Sequence, residues 1–154
     1  MTLTPHLSFN GQCEAAFKFY ERCLGGQIIT MLTWGDSPMA TQGTPEMEHK
    51  ILHATLMIGN SMLAGSDLPP GQYQKPQGYQ LLIGIDDSVK AKRMFAALAE
   101  NGTVQMPFQK TFWASGFGVL TDQFGISWEI NCEQAATQAK GCFEVLPTNS
   151  AIEP

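Results

Sequence analysis

Phe112-Trp113-Ala114-Ser115-Gly116-Phe117-Gly118, followed by Asp122-Gln123-Phe124-Gly125-Ile126-Ser127-Trp128-Glu129-Ile130, is the stretch on which the fold of this chain is decided. Its first piece gathers three aromatic residues and two glycines into one short loop. The second makes an Asp-x-x-Gly turn and enters an apolar strand that carries one acid, Glu129. A carboxylate in an apolar strand is costly unless something pairs with it or coordinates it. Glu129 is therefore the first candidate for chemistry.

Working outward, residues 126–131 and 118–121 form two strands, and a third begins over 104–106. Upstream, Met94, Phe95 and Leu98 give a helical stripe over 89–100. Asp86-Asp87-Ser88 supplies capping chemistry at its start, and Asn101-Gly102 stops it. A strand over 79–85 precedes that helix. The second half thus reads strand, helix, strand, strand, strand.

The first half repeats this order. Leu7 and Phe9 alternate with His6, Ser8 and Asn10, a strand with one apolar and one polar face. Ala16, Phe17, Tyr20 and Leu24 mark a helix over 12–24, stopped by Gly25-Gly26. Strands follow over 27–34, 49–58 and 61–66, with a mobile loop over 35–48 and a turn at Gly59-Asn60. The chain divides into a first βαβββ module (1–67), a Pro-rich linker (68–77) with Pro69, Pro70, Gly71 and Pro76, a second module (78–132) and a tail (133–154). The tail begins Gln- and Ala-rich, with a short helix to about Lys140. The fold class is α+β.

Composition narrows the function classes. With 154 residues, 44% hydrophobic and 15% charged, the chain has material for a core without staples. A net charge of −5 and the lack of any basic run interleaved with aromatics argue against nucleic acid. No apolar stretch approaches the ~20 residues of a membrane span, and the N-terminus has no secretory pattern, so the expected location is cytoplasmic. Cys13, Cys23, Cys132 and Cys142 include no CxxC pair. Reduced structural thiols are expected rather than a zinc site.

The tandem βαβββ order resembles the vicinal oxygen chelate superfamily, the glyoxalase and bleomycin-resistance fold. More narrowly the chain looks like its PhnB-like branch. The match rests on Pro5-His6-Leu7-Ser8-Phe9-Asn10-Gly11-Gln12-Cys13, Leu24-Gly25-Gly26, His53-Ala54-Thr55-Leu56, Ser66-Asp67, Asn101-Gly102, Thr111-Phe112-Trp113-Ala114 and the segment from Asp122 to Trp128. It runs from about residue 3 to 132. Members of this branch often carry the label of a demethylubiquinone methyltransferase, yet no Gly-rich nucleotide loop follows a strand here. The resemblance implies cupped mixed sheets, each module lending its concave face to a shared cavity, and a homodimer. In metal-dependent relatives a divalent ion sits in that cavity, held by the first and last strands of each module.

Carried over residue by residue, the resemblance places His6 and Gln80 on first strands and Glu129 on a last strand, at Asp-x-x-Gly-x-x-x-Glu. Together they form a three-residue metal set, His6, Gln80 and Glu129. The equivalent position in module one, near 62–64, has no acid or imidazole. His53 is a candidate ligand-binding residue at the start of an apolar strand. Phe112 and Trp113 either plug the cavity end, close as a lid, or serve a subunit interface. Asp67 and Asp122 are expected to form turns; Tyr20, Trp34 and Trp128 are expected in the core. Three function classes follow: a metal-dependent enzyme acting on a small oxygenated molecule, a metal-free protein that sequesters a small and partly aromatic compound, and a metal-free enzyme with Glu129 or His6 as general base.

Overall fold

The computed structural model describes residues 1–133, so Cys142 and the helix expected up to about Lys140 lie outside the described residues. The elements are β1 (His6–Phe9), α1 (Cys13–Leu24), β2 (Gln27–Thr33), β3 (Ile51–Ile58), β4 (Ser61–Asp67), β5 (Leu81–Ile85), α2 (Ser88–Leu98), β6 (Thr103–Gln109), β7 (Ala114–Thr121) and β8 (Ser127–Glu133). They build two four-stranded mixed sheets, ordered β1-β4-β3-β2 and β5-β8-β7-β6. In each sheet the first and last strands of the module pair in parallel and the remaining neighbours are antiparallel. The fold is thus α+β, two βαβββ modules in tandem.

Local chemistry explains these elements. Cys13, Ala16, Phe17, Tyr20 and Leu24 recur at helical spacing and are the buried face of α1. Gly25 ends the helix in the left-handed conformation, φ 68°, and its N–H donates to the Glu21 carbonyl. Asp87 caps α2, one carboxylate oxygen accepting from the Val89 and Lys90 amides at 2.9 Å each. In β1, Leu7 and Phe9 are buried while His6 is exposed and Ser8 half-buried, as the period-two pattern requires. Gly65 is set by close approach: a Cβ there would stand 2.5 Å from the ring of the fully buried Phe17.

The two helices lie on the apolar faces of the sheets and against each other, and one continuous core joins the modules. Its seam is aromatic. Phe19 meets Phe124 at 5.6 Å and Tyr20 meets Trp128 at 5.3 Å, both edge-on. Asp122 sits at the centre, 4% exposed. Its Oδ2 accepts from the Tyr20 hydroxyl at 2.7 Å and from Trp128 Nε1 at 2.8 Å. Its Oδ1 accepts from the Phe124 and Ile126 amides at 2.8 and 3.0 Å. The residue forms a turn, as expected, and it also bolts α1 of the first module to β8 of the second. Asp67 is no turn former: it ends β4 and accepts from the amides of Cys13 and Ile51, 2.9 Å each.

Burial and the Asp122 carboxylate push the Tyr20 phenol well above its ordinary 10.0, and burial together with Asp67 pushes the Cys13 thiol above its ordinary 9.0. Both groups hold their protons in the folded chain at a pH where the unfolded chain has released them. Stability is therefore fully present below about pH 9 and falls as pH rises through 9 and 10. Urea midpoints between pH 8 and 11 should decline across that window, with the decline reduced in Tyr20→Phe. A flat profile would contradict the buried phenol.

Several strand boundaries differ from the sequence expectation. The strand expected from 79 begins at Leu81, so Tyr79 and Gln80 precede it, both exposed. β7 begins at Ala114, which puts most of the aromatic loop in a strand and leaves Phe112 and Trp113 just before it. β6 runs through Pro107 to Gln109, tolerated because β6 is an edge strand with register shifts against β7. The loop over 35–48 contains two single turns of 3-10 helix, Ala40–Gln42 and Pro45–Met47.

Candidate functional site

Each sheet turns its apolar face to the helices, so its other face carries the candidate residues. On the first sheet, register places His6 opposite Ala64 and Ala64 opposite Thr55. His53 lies two residues along β3 from Thr55, on the same face, and its Nε2 is 3.1 Å from the Thr55 hydroxyl. Both histidines are exposed. Partial burial, and after it the nearby His53, lowers the His6 pKa below its ordinary 6.5. His6 is thus a neutral imidazole at pH 7.

On the second sheet, β8 alternates. Trp128, Ile130 and Cys132 are buried, while Ser127, Glu129 and Asn131 are half-buried on the opposite face. Leu82, Val119 and Phe117 share this face, since Leu82 and Val119 pair with Glu129 and Phe117 pairs with Asn131. Glu129 makes no ion pair with another described residue. The expected burial of its carboxylate is thus corrected: the strand is apolar on one face only, and Glu129 stands on the other. At the end of this face, Trp113 packs edge-on against Phe117 at 5.4 Å and Phe112 against Trp113 at 4.6 Å. Phe112 is 91% exposed, Trp113 48% and Leu82 61%.

The candidate set is therefore split. His6 and His53 lie together on the first sheet. Glu129, Phe112 and Trp113 lie together on the second, with Gln80 one residue ahead of β5. Packing between the modules runs through α1, α2 and the β7–β8 turn, with the two polar faces turned away from that core. Among the described residues, no three His, Cys, Asp or Glu side chains converge as a metal group. Cys13 and Cys132 are buried and Cys23 half-buried, all three as free thiols.

Asn131 was missed as a candidate from sequence. Its Oδ1 is buried without a hydrogen-bond partner among the described residues. The signal was present, because alternation from Glu129 puts Asn131 on the same face. Trp34, expected in the core, is half-buried, and its Nε1 likewise has no partner among the described residues.

Two four-stranded mixed sheets, each from one βαβββ module, define the class: a vicinal oxygen chelate fold. A solved structure of a glyoxalase/bleomycin resistance protein/dioxygenase family enzyme from Burkholderia phytofirmans PsJN shares that fold at TM-score 0.59 and 15% identity, over 85% of this chain and 97% of that one. The family model described as 3-demethylubiquinone-9 3-methyltransferase matches residues 1–131. The chain belongs to that family, and it shares its fold with a PhnB protein from Bacillus cereus, at TM-score 0.72 and 22% identity over 86% of this chain and 99% of that one. It is 36% identical over 147 residues to Protein YjdN of Escherichia coli (strain K12), covering 90% of this chain and all of that one. The crystal structure of protein PA1353 from Pseudomonas aeruginosa is 43% identical with a TM-score of 0.81, over 88% of this chain and 99% of that one. No helix among the described residues is long and apolar enough to cross a membrane.

Proposed function

We propose that this protein binds a small organic molecule on the open face of its second sheet, without a metal, in a cleft that a second copy of the chain closes. The carrying observation is the exposure of Leu82, Trp113 and Phe112 beside Glu129 on a face that no element among the described residues covers. Apolar exposure rimmed by polar groups marks a binding surface. The first sheet, with His6 and His53 on its own open face, is the complementary half that the second copy would offer. Two-fold pairing supplies both halves twice over. Glu129 is then placed to act as a general base on whatever is bound.

Light scattering should give a dimer, and Trp fluorescence should respond to planar ligands. Trp113→Ala should weaken binding at least tenfold, while an exposed position leaves stability within about 1 kcal/mol. A monomer silent toward a broad set of planar compounds would sink the proposal.

A divalent ion is the second reading, favoured by the neutral imidazole of His6. Within one chain the donors do not fit it. His6 and Glu129 stand on different sheets and Gln80 precedes its strand, so no step through an ion is derived. Chelator treatment, and additions of magnesium, manganese, nickel or zinc, are expected to leave the melting temperature unchanged. A rise of several degrees with one ion, lost in Glu129→Gln, would establish a site assembled from two copies.

A further inference from the structure

We infer that the ligand of this face is an aromatic organic cation bearing N–H donors, such as an amidine or arylammonium group on a flat body; this rests on the metal-free binding site proposed above. Charge decides first. At the positions of β5, β7 and β8 that share the face of Glu129 there is no Lys or Arg, and the two full charges there, Glu129 and Glu133, are both negative. A carboxylate with no cationic partner among the described residues, half out of water, favours a cation over a neutral isostere and repels an anion.

Hydrogen-bond supply decides second. Ser127 and Thr121 already satisfy each other at 3.2 Å, and Gln105 Nε2 donates to Thr121 at 2.8 Å. The acceptors left over include the Glu129 carboxylate and Asn131 Oδ1, two residues apart on one strand and therefore about 7 Å apart along it, with the exposed Glu133 carboxylate one further step along. A buried acceptor with no donor is unfavourable until a donor arrives. Beside Asn131, Gly84 leaves open space where any other residue would place a side chain. Acceptors on one face with open space beside Asn131 call for a group with several N–H donors, not for a carboxylate or phosphate.

Shape decides third. Phe117 stands across from Asn131 and continues through Trp113 to Phe112. Ring faces next to the acceptors add cation–π attraction and a stacking surface for a flat body.

The test titrates the full-length protein with benzamidine, benzamide and benzoate, followed by Trp fluorescence and calorimetry. Benzamidine should bind at least tenfold more tightly than benzamide, and benzoate more weakly than either. Glu129→Gln should cut the preference for the cation at least several-fold, and Asn131→Leu should weaken benzamidine several-fold while circular dichroism stays unchanged. If benzamide or benzoate binds as well as benzamidine, the charge assignment is wrong and the binding site stands. If none of the three binds up to millimolar concentration, the assignment is overturned; if the chain is also monomeric and silent toward other planar compounds, the binding site falls with it. The comparison of the three probes on the unaltered protein stays decisive if a variant fails to fold.

Discussion

Asp122→Ala is expected to destabilise the protein by about 4 kcal/mol, because three buried donors and one half-buried donor lose one acceptor together. Those donors are the Tyr20 hydroxyl, Trp128 Nε1 and the Phe124 and Ile126 amides. Each buried donor left without a partner costs roughly 1–3 kcal/mol, and water entering the small cavity recovers part of that. Against a typical total of roughly 5–15 kcal/mol, the loss is a large share of the stability of the fold. Tyr20→Phe removes one donor and leaves the carboxylate three, so about 1 kcal/mol is expected. Combined with Asp122→Ala, Tyr20→Phe should then be nearly free, since its partner is already gone. Denaturant titration of the four proteins measures the coupling. Additive losses would mean that Tyr20 and Asp122 do not act as one unit, and that the aromatic seam alone holds the modules together.

The second large effect falls on Asp67. Its two oxygens each hold one buried backbone amide, Cys13 at the start of α1 and Ile51 at the start of β3. Asp67→Ala strands both amides where neither helix nor sheet offers an alternative acceptor, with an expected loss of about 3 kcal/mol. Asp67→Asn keeps the shape and one acceptor, so a smaller loss of about 1–2 kcal/mol is expected. Hydrogen exchange localises the effect: the amides of Cys13 and Ile51 should lose protection before the second module does. A loss below about 1 kcal/mol for Asp67→Ala would mean that water replaces the carboxylate at no cost.

Much of the fold could be read from local pattern. Alternation in β1, helical spacing in α1, the Asp87 cap and the Gly25-Gly26 stop are local properties, and all appear where expected. The misplaced boundaries share one cause. Tyr79 and Gln80 have strand-like residue types but no partner strand beside them, and Ala114 to Phe117 look like loop yet pair with β8. Pairing with a distant strand, invisible to a local reading, settles both.

The candidate residues divide along the same line. Sequence determined which residue types sit on which face: Glu129 with Asn131 on the polar side of β8, His6 and Ser8 on the polar side of β1, and the apolar partners on the other side, because a period of two fixes side-chain direction along any strand. It also fixed the tandem order of the two modules. Only the tertiary structure decided which faces meet. The apolar faces close on α1, α2 and the Asp122 seam, because burying them removes the most apolar surface from water. The two polar faces are left pointing outward, with His6 and Glu129 on separate surfaces.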